Sequence, residues 1–427
     1  MNLFFPRRAL NIFLTAIVLV LPVKTFASNG LYLIGYGNES VLMGGADVAV
    51  ARDAFAANNN PAGMTQMKGQ AMDLELAAFY HFQTTHTDSF GNYRKPITNG
   101  YGAFGNGAYA RRFDNSPFAA GVALVVQGGT GYTYSGINTA FGTRDDASSL
   151  FTIIKLAPAF AWEVNDQLSL GLNVGINYLG VTQELFPNTS AGPFSGIRFK
   201  GASGIGLNTR LGLQYRPVKD VTIGITYAPQ SSIPVKNGTL RVNLTNAGLG
   251  VVRYDNAKLT GLRLPEELAL GVAFRPTPSL LISLQDKWYN WSEAINTLQL
   301  SASNPRNPLA PPSLPIPPSA INLVDQHVIE MGFAYDYDQD TVIMGGINHG
   351  SRPLPDQNTS PIFALIQARH YTLGFTRTID KKWKGSYGVE WYPLQSVTYD
   401  NANSVFGPRA NERHYAAVFH LSAIRRW

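Results

Sequence analysis

From Leu168 to Tyr178 every second residue is apolar: Leu168, Leu170, Leu172, Val174, Ile176 and Tyr178 alternate with Ser169, Gly171, Asn173, Gly175 and Asn177. A period of two over that length is a strand with one apolar face and one small or polar face. The pattern returns at Ile205 to Tyr215, Val221 to Tyr227, Leu268 to Phe274, Ile329 to Tyr335, Tyr371 to Phe375 and Tyr387 to Trp391. A chain built this way must shelter one face of every strand.

The turn signals between strands fall into two classes. Short ones lie at Asp114-Asn115-Ser116, Asn165-Asp166-Gln167, Pro217 to Asp220, Pro276-Thr277-Pro278, Asp338 to Asp340 and Asp380 to Lys382. Long ones, rich in Gly, Pro and Asn, lie near residues 83 to 99, 128 to 148, 183 to 198, 229 to 258, 291 to 325, 350 to 365 and 399 to 411. The two classes alternate along the chain. Six short turns and seven long loops join fourteen antiparallel strands with both chain ends on the short-turn side, as in an outer-membrane β-barrel. A soluble all-β protein explains the alternation equally well. It does not explain the loop asymmetry, or the placing of Tyr178, Tyr215, Tyr227, Tyr335, Tyr371 and Trp391 near strand ends, where interfacial girdles sit.

Composition agrees. Charged residues are only 15 %, there are 20 tyrosines and 23 phenylalanines, and with no cysteine the chain has no disulfide or thiolate metal site. Met1 to Ala27 has basic Arg7 and Arg8, an uncharged apolar run from Ala9 to Val23, and Thr25-Phe26-Ala27 before Ser28. This is the order of a secretory signal peptide, with cleavage expected after Ala27; the run is short for a spanning helix, and no later stretch approaches the roughly 20 apolar residues one needs. Without Arg7, Arg8 and Lys24, 31 basic residues face 28 acidic ones, a charge of +3 that does not suggest nucleic acid. At the other end Tyr415, Ala417, Phe419, Leu421, Ala423 and Trp427 form an apolar row with an aromatic terminus, which reads as a membrane-insertion signal for the barrel-assembly machinery. Arg425 breaks the row, and its head group is expected to snorkel to the interface.

If the apolar row faces lipid, the opposite row faces the lumen. That puts Asp73, Glu75, Lys155, Arg210, Glu330, His370 and Glu390 inside. Both signs occur, which favours a mutually satisfied network that stiffens the barrel over a head-group site at Lys155 or Arg210. His420 and Ser422 share the inward face but lack an Asn or Asp orienter in the sequence, so they read as structural rather than as base and nucleophile. There is no GxxxxGK[ST] or HExxH motif, and no cofactor, metal or enzymatic activity is expected.

Ser28 to Met64 lacks clear strand alternation. Its Gly and Ala density allows tight backbone packing, Arg52 beside Asp53 offers an internal charge pair, and Asn60-Pro61-Ala62-Gly63 is a turn by its chemistry. Such a segment suits a compact plug inside the wall.

These motifs together resemble the FadL/TodX family of outer-membrane transporters for hydrophobic compounds. The resemblance rests on Gly44-Gly45-Ala46, Ala51-Arg52-Asp53-Ala54 and Asn60-Pro61-Ala62-Gly63-Met64 near the amino end. It continues through Leu264-Pro265, Leu268-Ala269-Leu270-Gly271, Trp291-Ser292, Phe363 and His370-Tyr371-Thr372-Leu373-Gly374-Phe375.

The resemblance implies a fourteen-stranded barrel (residues 70–427) plugged by a hatch (residues 28–69), with Gly44, Gly45, Arg52, Asp53, Asn60, Pro61 and Ala62 as hatch or gate residues. It implies passive uptake of long-chain fatty acids, or alternatively of aromatic or aliphatic hydrocarbons. External loops capture the ligand, an internal apolar pocket receives it, and it leaves sideways at an inward kink of the third strand. That strand, Phe118 to about Tyr134, contains Gly128-Gly129 and Gly131; these glycines mark either the kink or the start of an external loop. Residues 304 to 318, NPRNPLAPPSLPIPP, form neither helix nor central strand and read as a stiff external segment, either a capture surface or a protective cover. The expected partners are a hydrophobic small-molecule ligand, outer-membrane lipid and the assembly machinery, with the chain acting as a monomer. A general porin is the rival reading and would not require the hatch.

Overall fold

The computed structural model describes residues 29–50, 53–401 and 404–427; the expected signal peptide, Ser28 and Arg52 lie outside them. Seven strands make the first half of a ring: β1 (Gln70–His81), β2 (Tyr101–Arg112), β3 (Phe118–Asn138), β4 (Arg144–Glu163), β5 (Leu168–Ala191), β6 (Phe194–Val218) and β7 (Val221–Ala228). The second half is β8 (Glu266–Thr277), β9 (Leu280–Asn290), β10 (Gln326–Asp336), β11 (Thr341–Gly350), β12 (Arg369–Thr378), β13 (Trp383–Tyr399) and β14 (Ala410–Arg426). Each pairs antiparallel with its neighbour, and β1 pairs with β14 from Ala71 opposite Arg426 to His81 opposite Ala416, so the sheet closes. Closure removes free edges, the condition for a sheet to sit in hydrocarbon. Among the described residues no helix is long and apolar enough to cross a membrane.

The alternation sorts as membrane chemistry requires. On β5, Leu170, Leu172, Val174, Ile176 and Tyr178 are exposed on the outside while Ser169, Asn173 and Asn177 are buried within. The expected girdle residues Tyr178, Tyr215, Tyr227, Tyr335, Tyr371 and Trp391 all face outward. Arg425 sits over two aromatic rings, its guanidinium 5.4 Å from the Trp383 centroid and 4.6 Å from that of Trp427. Cation–π contact and the strand end together make it tolerable there.

All six short turns fall where the turn residues indicate. Two of the long loops do not. Residues 128–148 and 183–198 are largely strand: β3 runs to Asn138 before β4 starts at Arg144, and β5 runs to Ala191 before β6 starts at Phe194. Beyond the bilayer the outward face meets water, so it carries the Ser, Thr and Asn residues that resemble a loop. Tyr134, Ile137, Ile197 and Phe199 still point inward and are buried. The next two long loops contain strands of their own. Val235–Leu244 pairs with the upper part of β6 and with Gly250–Thr260, which pairs in turn with Thr297–Pro305. The Pro-rich stretch adds only a short edge strand, Ser313–Pro315, as the missing N–H donors of proline dictate. The inner face of this external sheet closes over an apolar core that includes Leu240, Tyr254, Trp291 and Phe363.

Residues 29–50 and 53–67 lie inside the ring and are almost entirely buried. They carry two short helices, α1 (Asn38–Leu42) and α2 (Ala56–Asn59), and the 3-10 turn Pro61–Gln66. The wall makes room for them with inward glycines. A Cβ on Gly171 or Gly212 would strike Pro61 or Asn60, and one on Gly332 or Gly346 would strike Met43 or Gly44.

Candidate functional site

The ladder between β2 and β3 stops at Gly107 opposite Leu124. Above it β3 bulges between Val126 and Gly128, and Gly129 takes φ 154°, a conformation that favours glycine. Two asparagines bracket the resulting gap. Asn106 Oδ1 accepts from Val126 N at 2.8 Å below it; Asn99 Oδ1 accepts from Thr133 N at 2.9 Å, and its Nδ2 donates to the Gly131 carbonyl at 3.1 Å above it.

The bulged backbone is bonded inward, to the amino-terminal segment. Gly129 N donates to the Leu31 carbonyl at 2.8 Å, Leu33 N to the Gln127 carbonyl at 3.4 Å, and the Tyr36 hydroxyl to the same carbonyl at 2.6 Å. Tyr32 forms a bridge with Gly128, whose Cα lies so close to the Leu31 carbonyl that no Cβ fits. Gly128 and Gly129 thus lie within β3 at its bulge, not in a loop.

A cavity of about 460 Å³ lies behind this gap. Its lining takes in both edges of the gap, Gly30 and residues 32–35 of the inner segment, and Ala364 to Gln367 of the loop after β11. Phe79, Phe104, Leu150, Phe151 and Val418 make much of it apolar. A chain of polar contacts runs from the gap across the cavity. Asn106 Nδ2 donates to Glu75 at 2.8 Å, Glu75 meets His420 Nδ1 at 2.9 Å, His420 Nε2 lies in ion-pair range of Glu390 at 3.5 Å without a hydrogen bond, and Glu390 meets His370 Nδ1 at 2.6 Å. His420 and His370 are thus each committed to a carboxylate, and among the described residues no Lys or Arg lines the cavity. His370 Nε2 is buried without a hydrogen-bond partner.

The expected lumen residues are all buried. His370 and Glu390 come together in the cavity; Lys155, Arg210 and Glu330 do not join them. Arg210 holds Glu267 in a two-pronged pair at 2.7 and 2.8 Å and also reaches the Asn59 carbonyl. Glu330 accepts from Gln285, from Asn348 at 2.9 Å and from Lys287. Lys155 is fully buried with its ammonium unbonded, away from the cavity lining. Arg210 and Glu330 are thus each paired within the wall, and neither Lys155 nor Arg210 lines the cavity. His420 does have an orienter, Glu75, contrary to the sequence reading, because the partner comes from the other end of the chain across the β1–β14 seam. Ser422 makes no hydrogen bond to it, so the pair is no nucleophile and base.

The inner-segment residues anchor it to the wall. Gly44 and Gly45 turn the chain after α1 at φ 69° and 88°, and their carbonyls accept from Asn348 and Gln285. Asp53 Oδ1 accepts from Phe55 N, and burial together with nearby Asp73 pushes its carboxyl well above the usual range. Asn60 caps the turn that Pro61 opens, accepting from Ala62 N, and donates to the carbonyls of Val48 at 2.7 Å and Leu213 at 3.1 Å. Asn99, Asn106 and Gln127 were not singled out from the sequence; their role comes from register, which composition does not display.

A family model described as outer membrane protein transport protein (OMPP1/FadL/TodX) matches residues 38–423. Among solved structures, the toluene transporter TbuX of Ralstonia pickettii is 18 % identical, with 92 % of this chain and 99 % of that chain covered and a TM-score of 0.74. The toluene transporter TodX of P. putida is 17 % identical over 92 % and 99 %, with a TM-score of 0.76. A FadL homologue of Pseudomonas aeruginosa is 17 % identical over 93 % and 99 %, with a TM-score of 0.69. At these identities the likeness is one of fold. No curated protein matches the chain.

Proposed function

The chain belongs to the OMPP1/FadL/TodX family of outer-membrane transport proteins for hydrophobic compounds, and we propose that it passes uncharged hydrophobic molecules through the cavity and out between β2 and β3. The carrying observation is that the cavity has an apolar lining, holds Glu75 and Glu390 but no Lys or Arg among the described residues, and reaches both edges of the gap. Each CH2 that leaves water for such a site gains roughly 0.8 kcal/mol, and passive transfer into lipid needs no other energy source. Glu75 and Glu390 are already paired with His420 and His370, and no Lys or Arg among the described residues lines the cavity, so a fatty carboxylate would have to leave water with no free cation to meet it. This favours the hydrocarbon alternative over fatty acids, and the toluene carried by two of the similar proteins agrees with it.

In this reading residues 28–69 are a hatch. Residues 32–35 line the cavity, and Leu31, Tyr32, Leu33 and Tyr36 hold the bulge of β3, so a ligand that displaces this stretch acts directly on the exit. His370 Nε2 offers one polar contact to a hydroxyl-bearing ligand. The test is binding of labelled toluene, a medium alkane and oleate to the purified protein, with deletion of residues 28–40 as control. Neutral ligands bind more tightly than oleate, and the deletion weakens them. Tighter binding of oleate sinks the cargo assignment, and a large steady ion conductance in bilayers sinks the plugged transporter in favour of a porin.

A further inference from the structure

The outward face of the external sheet carries a row of cations that its own carboxylates do not balance. Its origin is a bulge. On β6, Ala202 lies opposite Val181, but the next pair is Phe199 opposite Gln183, so β6 has one extra residue there, and Gly201 takes φ 73°. The extra residue reverses the alternation. Below it Ile205 and Leu207 face lipid; above it Ile197 and Phe199 turn into the core while Arg198 and Lys200 turn outward.

The neighbouring strands continue the row. Arg198 lies opposite Arg241, and Arg241 lies opposite Arg253. Directly opposed like charges destabilise a sheet, with Cβ atoms roughly 4.5–5.5 Å apart, so Arg241, set between Arg198 and Arg253 with no carboxylate of its own in ion-pair range, calls for an anion from outside. Only two carboxylates share this face with seven cations. Glu184 serves Arg198 at 3.1 Å and Lys200 at 2.6 Å; Asp255 serves Arg253 at 2.6 Å and Arg306 at 2.8 Å. Among the described residues, Lys236, Arg241 and Lys258 have no carboxylate in ion-pair range, and all three are exposed. Residues 28–427 carry only +3 in all, so the patch is a local concentration.

Its height identifies the partner. Tyr178 opposite Ile205 marks the outer girdle. Lys200 and Arg198 lie five and seven residues beyond, about 13 to 18 Å above it at ~3.3 Å per residue and a ~40° tilt. That is above the acyl chains, at the level of the sugar heads of outer-leaflet glycolipids. Guanidinium forks suit phosphate oxygens. We propose that this face docks the phosphorylated sugar head of an anionic outer-leaflet glycolipid, with Arg241 as the central contact.

The test uses the full-length protein in nanodiscs and purified rough-type lipopolysaccharide bearing its phosphates. The variant Lys200→Gln/Arg241→Gln/Lys258→Gln weakens binding at least tenfold and flattens its salt dependence. A charge-matched control on the opposite side, Lys219→Gln/Lys381→Gln/Lys382→Gln, stays within twofold of the parent. Arg241→Gln alone gives an intermediate loss and guards against a folding defect in the triple variant. Unchanged binding in the triple variant, equal loss in the control, equal binding of the dephosphorylated glycolipid, or full competition by millimolar inorganic phosphate would each overturn the proposal.

Discussion

The Val126 N–H donates to the side-chain oxygen of Asn106 across 2.8 Å, at the level where main-chain pairing between β2 and β3 has ended. A side chain substitutes for a strand. The same Asn106 donates to Glu75, so the edge of the gap is tied to the polar chain in the cavity.

Asn106→Leu keeps the volume and removes both bonds. A half-buried N–H and a buried carboxylate each lose a partner, which costs about 1–3 kcal/mol. Denaturant unfolding in micelles shows the loss, and amide exchange at Val126 accelerates while exchange at Leu124 does not. Equal protection at Val126 in parent and variant would show the bond to be unimportant.

Gly128→Val places a side chain where the Leu31 carbonyl sits. Residues 31–33 must move while the wall ladders stay intact. The barrel still folds, as judged by heat-modifiable mobility, but toluene binding falls several-fold and residues 29–36 become accessible to protease. Unaltered binding and protection would break the link between inner segment and bulge.

Arg210→Met leaves Glu267 buried without its cation. Breaking one side of such a pair costs about 3–5 kcal/mol, whereas replacing both partners by apolar residues is often neutral. Arg210→Met therefore lowers the unfolding midpoint sharply, and adding Glu267→Leu recovers most of it. A double variant as unstable as the single one would contradict this.

His86, in the first external loop, is held by Glu412 at 2.6 Å and Asp88 at 3.0 Å. Burial alone would lower its pKa, but the two carboxylates outweigh this and raise it from 6.5 to about 9. A raised folded-state value means the stabilisation is complete below about 6.5 and is lost as pH climbs through about 9. Asp88 is shifted down, burial being outweighed by its bonds to His86 and Asn92, so its share is lost only in acid. Amide exchange across residues 82–100 therefore accelerates between pH 7 and 10 in the parent and is already fast and flatter with pH in His86→Leu.

Much of the wall was legible because lipid imposes a simple rule: on β5 apolar residues face out and polar ones face in. The rule lapses above the girdle, where water replaces lipid, so the upper parts of β3 to β6 look like loops although Tyr134, Ile137 and Phe199 still fill a core. Gly128 and Gly129 stood out because glycine pairs are scarce in strands. Asn106 did not, since an inward asparagine opposite Glu75 looks ordinary; what distinguishes it is the backbone partner that β3 fails to supply. The Glu75 partner of His420 was missed for a related reason, lying 345 residues away along the chain, although the reading of His420 and Ser422 as structural stands.

The inward glycines at 171, 212, 332 and 346 are a mould of the segment they enclose. A mould fits one casting. Grafting residues 28–69 from a relative onto this wall would bring new side chains against backbone that has no slack, and an alanine at any of these positions would expel part of the native segment. Segment and wall therefore have to be inherited together, and a chimera needs both halves of the fit exchanged at once.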